Sequence, residues 1–187
     1  MKTCIAILLL TAMISGADGK EKWKIRKDLV IYESIVAGTK VKVVVSEQAF
    51  DPTKFRIAEK DNIGTNKEPK YGPTIDSKPV VGNSVETENR VPPVGCPQLK
   101  SIVVHFGDVT VEVPPQLLNN VFFPRLRSPG VFSLSYADSI VSVSSDAKCV
   151  QISIGVGEGG GQSTAFFAVS KDGRATEETP VRDLPGR

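Results

Sequence analysis

The densest group of site-like residues is the run GVGEGGGQST at 155–164, where Gly155, Gly157 and Gly160 satisfy the spacing G-x-G-x-x-G. A dinucleotide fingerprint works because its glycines let a strand turn tightly into a helix whose N-terminal amides meet the pyrophosphate. Here the glycines lead into STAFFAVS, which is β-branched and aromatic, so the context is strand, loop, strand. The phosphate loop of nucleotide hydrolases fails as well, because Gln162 stands where its lysine must precede the hydroxyl residue. The run reads as the turn of a hairpin between strands at about 149–156 and 163–170, and no nucleotide cofactor is expected. Its glycine content exceeds what a minimal turn demands. Gly157, Glu158, Gly159, Gly160, Gly161 and Gln162 are therefore the candidate ligand-contacting positions.

His105 is the only histidine, which excludes multi-histidine zinc sites and two-histidine iron sites within one chain. No metal is expected. A Ser-His-Asp arrangement needs an orienting carboxylate, for which Asp108 and Glu112 are near in sequence, but no G-x-S-x-G elbow supplies the nucleophile. His105 reads as an outward residue of a hairpin, facing Thr110. Hydrolysis by two carboxylates has Glu33, Glu47, Glu112 and Glu158 as its candidates, and their spacing selects no pair. Trp23, Tyr71 and Tyr136 are aromatic residues of the kind that line carbohydrate or peptide surfaces, although such residues serve core and rim more often.

The third chemistry is that of sulfur. The opening MKTCIAILLLTAMISGA carries one lysine, an apolar run of about 11 residues and small residues at Ser15 and Ala17, the pattern of a cleaved signal over 1–17. The run falls short of the roughly 20 residues a membrane-crossing helix needs. Cleavage removes Cys4 and leaves Cys96 and Cys149, so a Cys96–Cys149 disulfide is expected in an oxidising compartment. It also removes Lys2, lowering the formal charge from +2 to +1. A dedicated nucleic-acid binder carries a stronger basic excess, so no nucleic-acid partner is expected. The chain lacks any Asn-x-Ser/Thr sequon, which leans toward a bacterial envelope or secreted protein.

The elements that must position these residues are read from apolar spacing. With 40% hydrophobic and 24% charged residues, the composition is that of an ordinary globular chain. KEKWKIRK at 20–27 holds five basic residues and a tryptophan and reads as a solvated leader. LVIYESIV and KVKVVVS, separated by AGT, read as a hairpin. At 51–57, Asp51 as cap, Pro52 in the first turn and Phe50 spaced against Phe55 signal a short helix, while Phe55 and Ile57 alternate as in a strand; both states stay open. Residues 62–95, rich in proline and turn formers, read as one long loop.

SIVVHF and VTVEV flank Gly107–Asp108 as a second hairpin, with Ile102, Val104, Phe106, Val109, Val111 and Val113 on the buried face. PPQLLNNVFFP predicts one or two helical turns bounded by prolines. GVFSLSYA, SIVSVSS, CVQISIGV and STAFFAVS are short strands of a meander, and the tail from Ala175 is expected to fray. The expected architecture is a mainly β, antiparallel β-sandwich or open barrel with one or two short helices, spanning 18–174 as one domain. The functional expectation is a secreted or periplasmic, non-catalytic β module that binds a protein or polysaccharide partner or builds the envelope. The alternative is a carboxylate-dependent hydrolase of extracellular polymers.

Overall fold

The computed structural model describes residues 21–26, 28–64, 70–82, 90–126, 139–157 and 163–178. Its strands are β1 (Lys22–Ile25), β2 (Leu29–Val36), β3 (Thr39–Ala49), β4 (Ile57–Asn62), β5 (Tyr71–Ile75) and β6 (Lys78–Pro79). There follow β7 (Pro97–Phe106), β8 (Val109–Glu112), β9 (Ser139–Val143), β10 (Cys149–Val156), β11 (Ser163–Ser170) and β12 (Ala175–Glu178). A five-stranded sheet has the order β1-β2-β3-β7-β8, a four-stranded sheet the order β12-β11-β10-β9, and a small sheet the order β4-β5-β6. All the strand pairings are antiparallel. The two larger sheets pack face to face as a β-sandwich.

Turn chemistry sets the hairpins. Ala37 and Gly38 both take positive φ, 48° and 73°, the signature of the type I′ turn whose twist suits two right-handed strands. At the second hairpin Gly107 has φ 61° in the first central position, as a type II′ turn requires. The expected strands on either side of the glycine run are found, β10 pairing with β11 from Val156↔Ser163 to Cys149↔Ser170.

Inward residues alternate along each strand. Val41, Val43, Ile102, Val104 and Phe106 from one sheet meet Val150, Ile152, Ile154 and Phe167 from the other in a single buried cluster. Each fully buried side chain of this kind stabilises the fold by about 1.5–3 kcal/mol. Val109 departs from the expected buried set: it follows directly on the Gly107–Asp108 turn and is 39% exposed.

Several expectations are corrected between the hairpins. The 62–95 region contains β5 and β6, which pair with β4 and with each other. Their proline and turn residues hide the strands because each is short and lies at a sheet edge or bulge. At 51–55 the capping signals hold, with Asp51 accepting from Thr53 N at 3.1 Å and Phe50 stacked on Phe55 at 5.7 Å. They produce only a single 3-10 turn, Pro52–Lys54, before the strand pattern takes over.

PPQLLNNVFFP likewise gives one 3-10 turn, Pro115–Leu117, and not a longer helix. Val121, Phe122 and Pro124 instead form isolated bridges to Val81, Gln98 and Val156, so tertiary partners claim their backbone groups. Residues 175–178, expected to fray, are held as β12 against β11. The leader is a strand too, β1, because its backbone completes the edge of β2.

No disulfide joins Cys96 to Cys149. Cys96 is packed with Phe50, Ile75 and Phe122 beneath the small sheet. Phe122 lies close to Pro124, which bridges Val156 at one end of β10, whereas Cys149 is the first residue at the other end. Seven strand steps separate the two ends, roughly 23 Å, far beyond the about 7 Å between Cα atoms that a bridge allows.

Candidate functional site

Of the glycine-run candidates, Gly157 is described, while Glu158, Gly159, Gly160, Gly161 and Gln162 lie outside the described residues. Gly157 is buried and takes φ 91°. Its N–H donates to Phe123 O at 3.1 Å, and its carbonyl accepts from Arg125 Nε at 3.2 Å. Both backbone groups are therefore spent on the 123–125 segment. Gly157 anchors the loop to the fold, and a positive φ is the reason for glycine there.

His105 lies where its hairpin register demands, opposite Thr110 in β8 and opposite Lys42 in β3. Its Nδ1 is 2.9 Å from Thr110 Oγ1. Asp108 occupies the turn, and Glu112 is two residues further along β8 from Thr110, so both lie on or beside the same hairpin.

The outward face of the five-stranded sheet gathers more than the sequence suggested. The register places Lys22, Glu33, Lys42, His105 and Thr110 in one row across five strands. Residues two positions away on a strand share the same face, which adds Lys24 and Lys40 on the diagonals of Glu33. Lys40 Nζ is 3.3 Å and Lys24 Nζ 3.7 Å from the Glu33 carboxylate. The bond from Lys40 is the largest influence holding the Glu33 carboxyl below its ordinary range, with the charges of Lys40, Lys24 and Lys42 acting in the same direction. Four lysines from two strands thus ring one ionised carboxylate. The signal was present in the sequence, since Lys22 and Lys24, like Lys40 and Lys42, alternate with period two.

The candidate carboxylates are not brought together. Glu33 and Glu112 stand on β2 and β8, three strand spacings apart or roughly 14 Å, outside the about 5–9.5 Å that paired carboxylates need for glycoside hydrolysis. Glu47 lies beyond the bulge in β3, five residues along from the partner of Glu33. Glu158 is outside the described residues. Among the described residues no group of His, Cys, Asp and Glu is arranged to hold a metal ion.

The aromatic candidates are dispersed. Trp23 stacks edge-on against Tyr32 at 4.9 Å and, with Val43, Leu126, Val141 and Ile154, lines a shallow apolar recess between the sheets. Burial is the main cause that raises the Tyr32 phenol above its usual pKa, and its hydroxyl donates to Glu21 Oε1 at 3.1 Å. Tyr71 opens β5, 61% exposed, and Tyr136 is outside the described residues.

The opposite face of the sandwich differs in kind. The outward positions on β9 to β12 include Ser142, Gln151, Ser153, Thr164, Phe166, Ala168 and Thr176, and the register puts no lysine or arginine among them. No helix among the described residues is long and apolar enough to cross a membrane. Comparison with family models, with curated proteins and with solved structures returns no match.

Proposed function

We propose that this chain is a secreted or periplasmic, non-catalytic β module that binds a protein or polysaccharide partner through the outward face of its five-stranded sheet. The observation that carries the reading is the ring of Lys22, Lys24, Lys40 and Lys42 around Glu33, concentrated on one of the two outer faces. Lys40 and Lys42 stand on a preformed platform, because they alternate with the buried Val41 and Val43 of β3, while Lys22 and Lys24 are held by the pairing of the edge strand β1 with β2. Long cationic side chains on a preformed backbone attract an anionic partner before contact, so that the ordering cost of binding is confined to their own rotamers.

The chemistry of the same residues supports binding over turnover. A general acid for glycoside cleavage needs a raised carboxyl pKa, and Glu33 is held in the opposite direction. His105 has its hairpin partner in Thr110.

The test is to incubate the purified chain with anionic and neutral polysaccharides and with acidic and basic proteins, reading both retention and product. Retention without new reducing ends or peptides is the expected result, and Lys42→Glu should abolish the retention. Turnover that disappears in Glu33→Gln, with an unchanged melting temperature, would replace the binding reading by the hydrolase one.

A further inference from the structure

We infer that the lysine ring on the outward face of β1, β2 and β3 is a binding site for a linear anionic polysaccharide, carboxylated or sulfated, and that Glu33 is its internal competitor. The inference rests on the reading of this face as the binding surface and specifies what it takes.

Charge complementarity is the first argument. Four lysines surround one carboxylate, so the patch is cationic even with Glu33 ionised, while the whole chain carries only +2. Lys24 and Lys40 keep 64% and 62% of their side-chain surface in water, and reach Glu33 only at 3.7 and 3.3 Å. Exposed pairs of this geometry are weak and readily exchange partners. An incoming carboxylate or sulfate can take over these ammonium groups without unfolding anything.

Shape is the second argument. Lys22 and Lys42 flank Glu33 across two strand spacings, about 10 Å, and the strands rotate by roughly 20–25° from one to the next. The cations of β1 and β3 therefore point away from a common plane. A linear polymer bends along such a twisted face, whereas a flat bilayer meets only part of it. Beside the lysines, Ile31, Val44 and Val103 form a half-buried apolar strip, Ile35 stands exposed opposite Lys40, and His105 and Thr110 extend the lysine row with groups that hydrogen-bond sugar hydroxyls. Trp23 and Ile25 belong to the other face of β1, which leaves Ile35 as the exposed large apolar side chain beside the lysines, less than the apolar stripe by which a surface element inserts into a membrane.

Titration calorimetry of the full chain with polygalacturonate, dextran sulfate and unsubstituted dextran tests the assignment, with anionic phosphatidylglycerol vesicles, polyglutamate and single-stranded DNA as alternatives. At least one of the two charged polysaccharides should bind, dextran should not, and affinity should fall as salt rises from about 50 to about 300 mM. Removing lysines as Lys22→Gln, Lys24→Gln, Lys40→Gln and Lys42→Gln should weaken binding about fivefold for each charge lost. Glu33→Gln should strengthen it, a gain that general loss of structure cannot mimic. Control substitutions Gln151→Glu and Thr176→Glu on the other face should leave it unchanged.

Neutral dextran binding as well as the charged polymers overturns the inference. So does polysaccharide binding insensitive to the lysine variants, or binding confined to vesicles, polyglutamate or DNA. If polyglutamate or dextran is the ligand and Lys42→Glu abolishes it, the face remains the binding surface and only the polysaccharide assignment falls. If no probe responds to any variant of this face, both fall.

Discussion

The sandwich and the small sheet are stabilised in different ways. In the sandwich, inward Val, Ile and Phe recur at every second position on long strands, and the partners in each hairpin are neighbours in sequence. The small sheet has strands of six, five and two residues and a buried cluster of Phe50, Ile75, Cys96 and Phe122. What it lacks in area it gains in specific contacts with the 119–125 segment, which threads between it and the sandwich. Val81 N donates to Asn120 O and Phe122 N to Val81 O, both at 2.8 Å, while on the far side Leu99 N donates to Val121 O at 2.9 Å and Arg125 N to Gly155 O at 2.8 Å. Area burial tolerates sequence change. A seam of single contacts does not, so the join is where small substitutions should act most selectively.

The largest effect expected is at the residue the two regions share. Phe122 is fully buried and meets Phe50 edge-on at 4.9 Å, and Phe122→Ala should cost about 3–5 kcal/mol in urea unfolding. A cost under about 1 kcal/mol would show that the small sheet is not packed on the sandwich in solution.

Gly82 comes next. It has φ 96°, and a Cβ there would lie 2.1 Å from Phe122 O, a backbone atom that cannot step aside. Gly82→Ala should cost about 2–3 kcal/mol, whereas Gly38→Ala, with positive φ but nothing within 4 Å, should cost only about 1 kcal/mol. Equal costs at the two glycines would mean that φ alone, and not the close approach, governs Gly82.

Asn120 tests the hydrogen bonds of the join. It is 2% exposed and its Nδ2 donates to Pro79 O at 2.8 Å, so Asn120→Ala should cost about 1–2 kcal/mol. In hydrogen exchange, the amides of Ile63, Asp76 and Val80 should then exchange faster while those of β3 and β7 keep their protection. Uniform acceleration across both regions would make them one cooperative unit.

The smallest effect belongs to Lys78, whose ammonium meets Glu177 of β12 at 2.7 Å with both side chains partly in water. Lys78→Gln should cost about 0.5 kcal/mol, and the difference from the wild type should vanish in high salt. A salt-independent cost would point to packing of the lysine stem instead.

Local code settled much of this molecule in advance. Period-two alternation marks β2, β3, β7, β10 and β11 with their inward faces, and Ala37–Gly38 and Gly107–Asp108 mark two turns, because side-chain direction in a strand and positive φ in a turn are properties of adjacent residues. His105 opposite Thr110 follows from the same counting. The small sheet escaped that reading. Its short, proline-bearing strands bury little by alternation, and the partners that satisfy Val81 come from residues about forty positions later. PPQLLNNVFFP carries a helical spacing that lost to those same bridges.

The candidate site divides along the same line. That Lys22 and Lys24 alternate, as do Lys40 and Lys42, is written in the chain. Which carboxylate they would surround depended on β1 and β3 flanking β2, a matter of strand order. The cysteines show the converse. Their count suggested a bridge, and only the length of β10 separated them, because the number of residues between two positions says nothing about distance until the path of the chain is fixed.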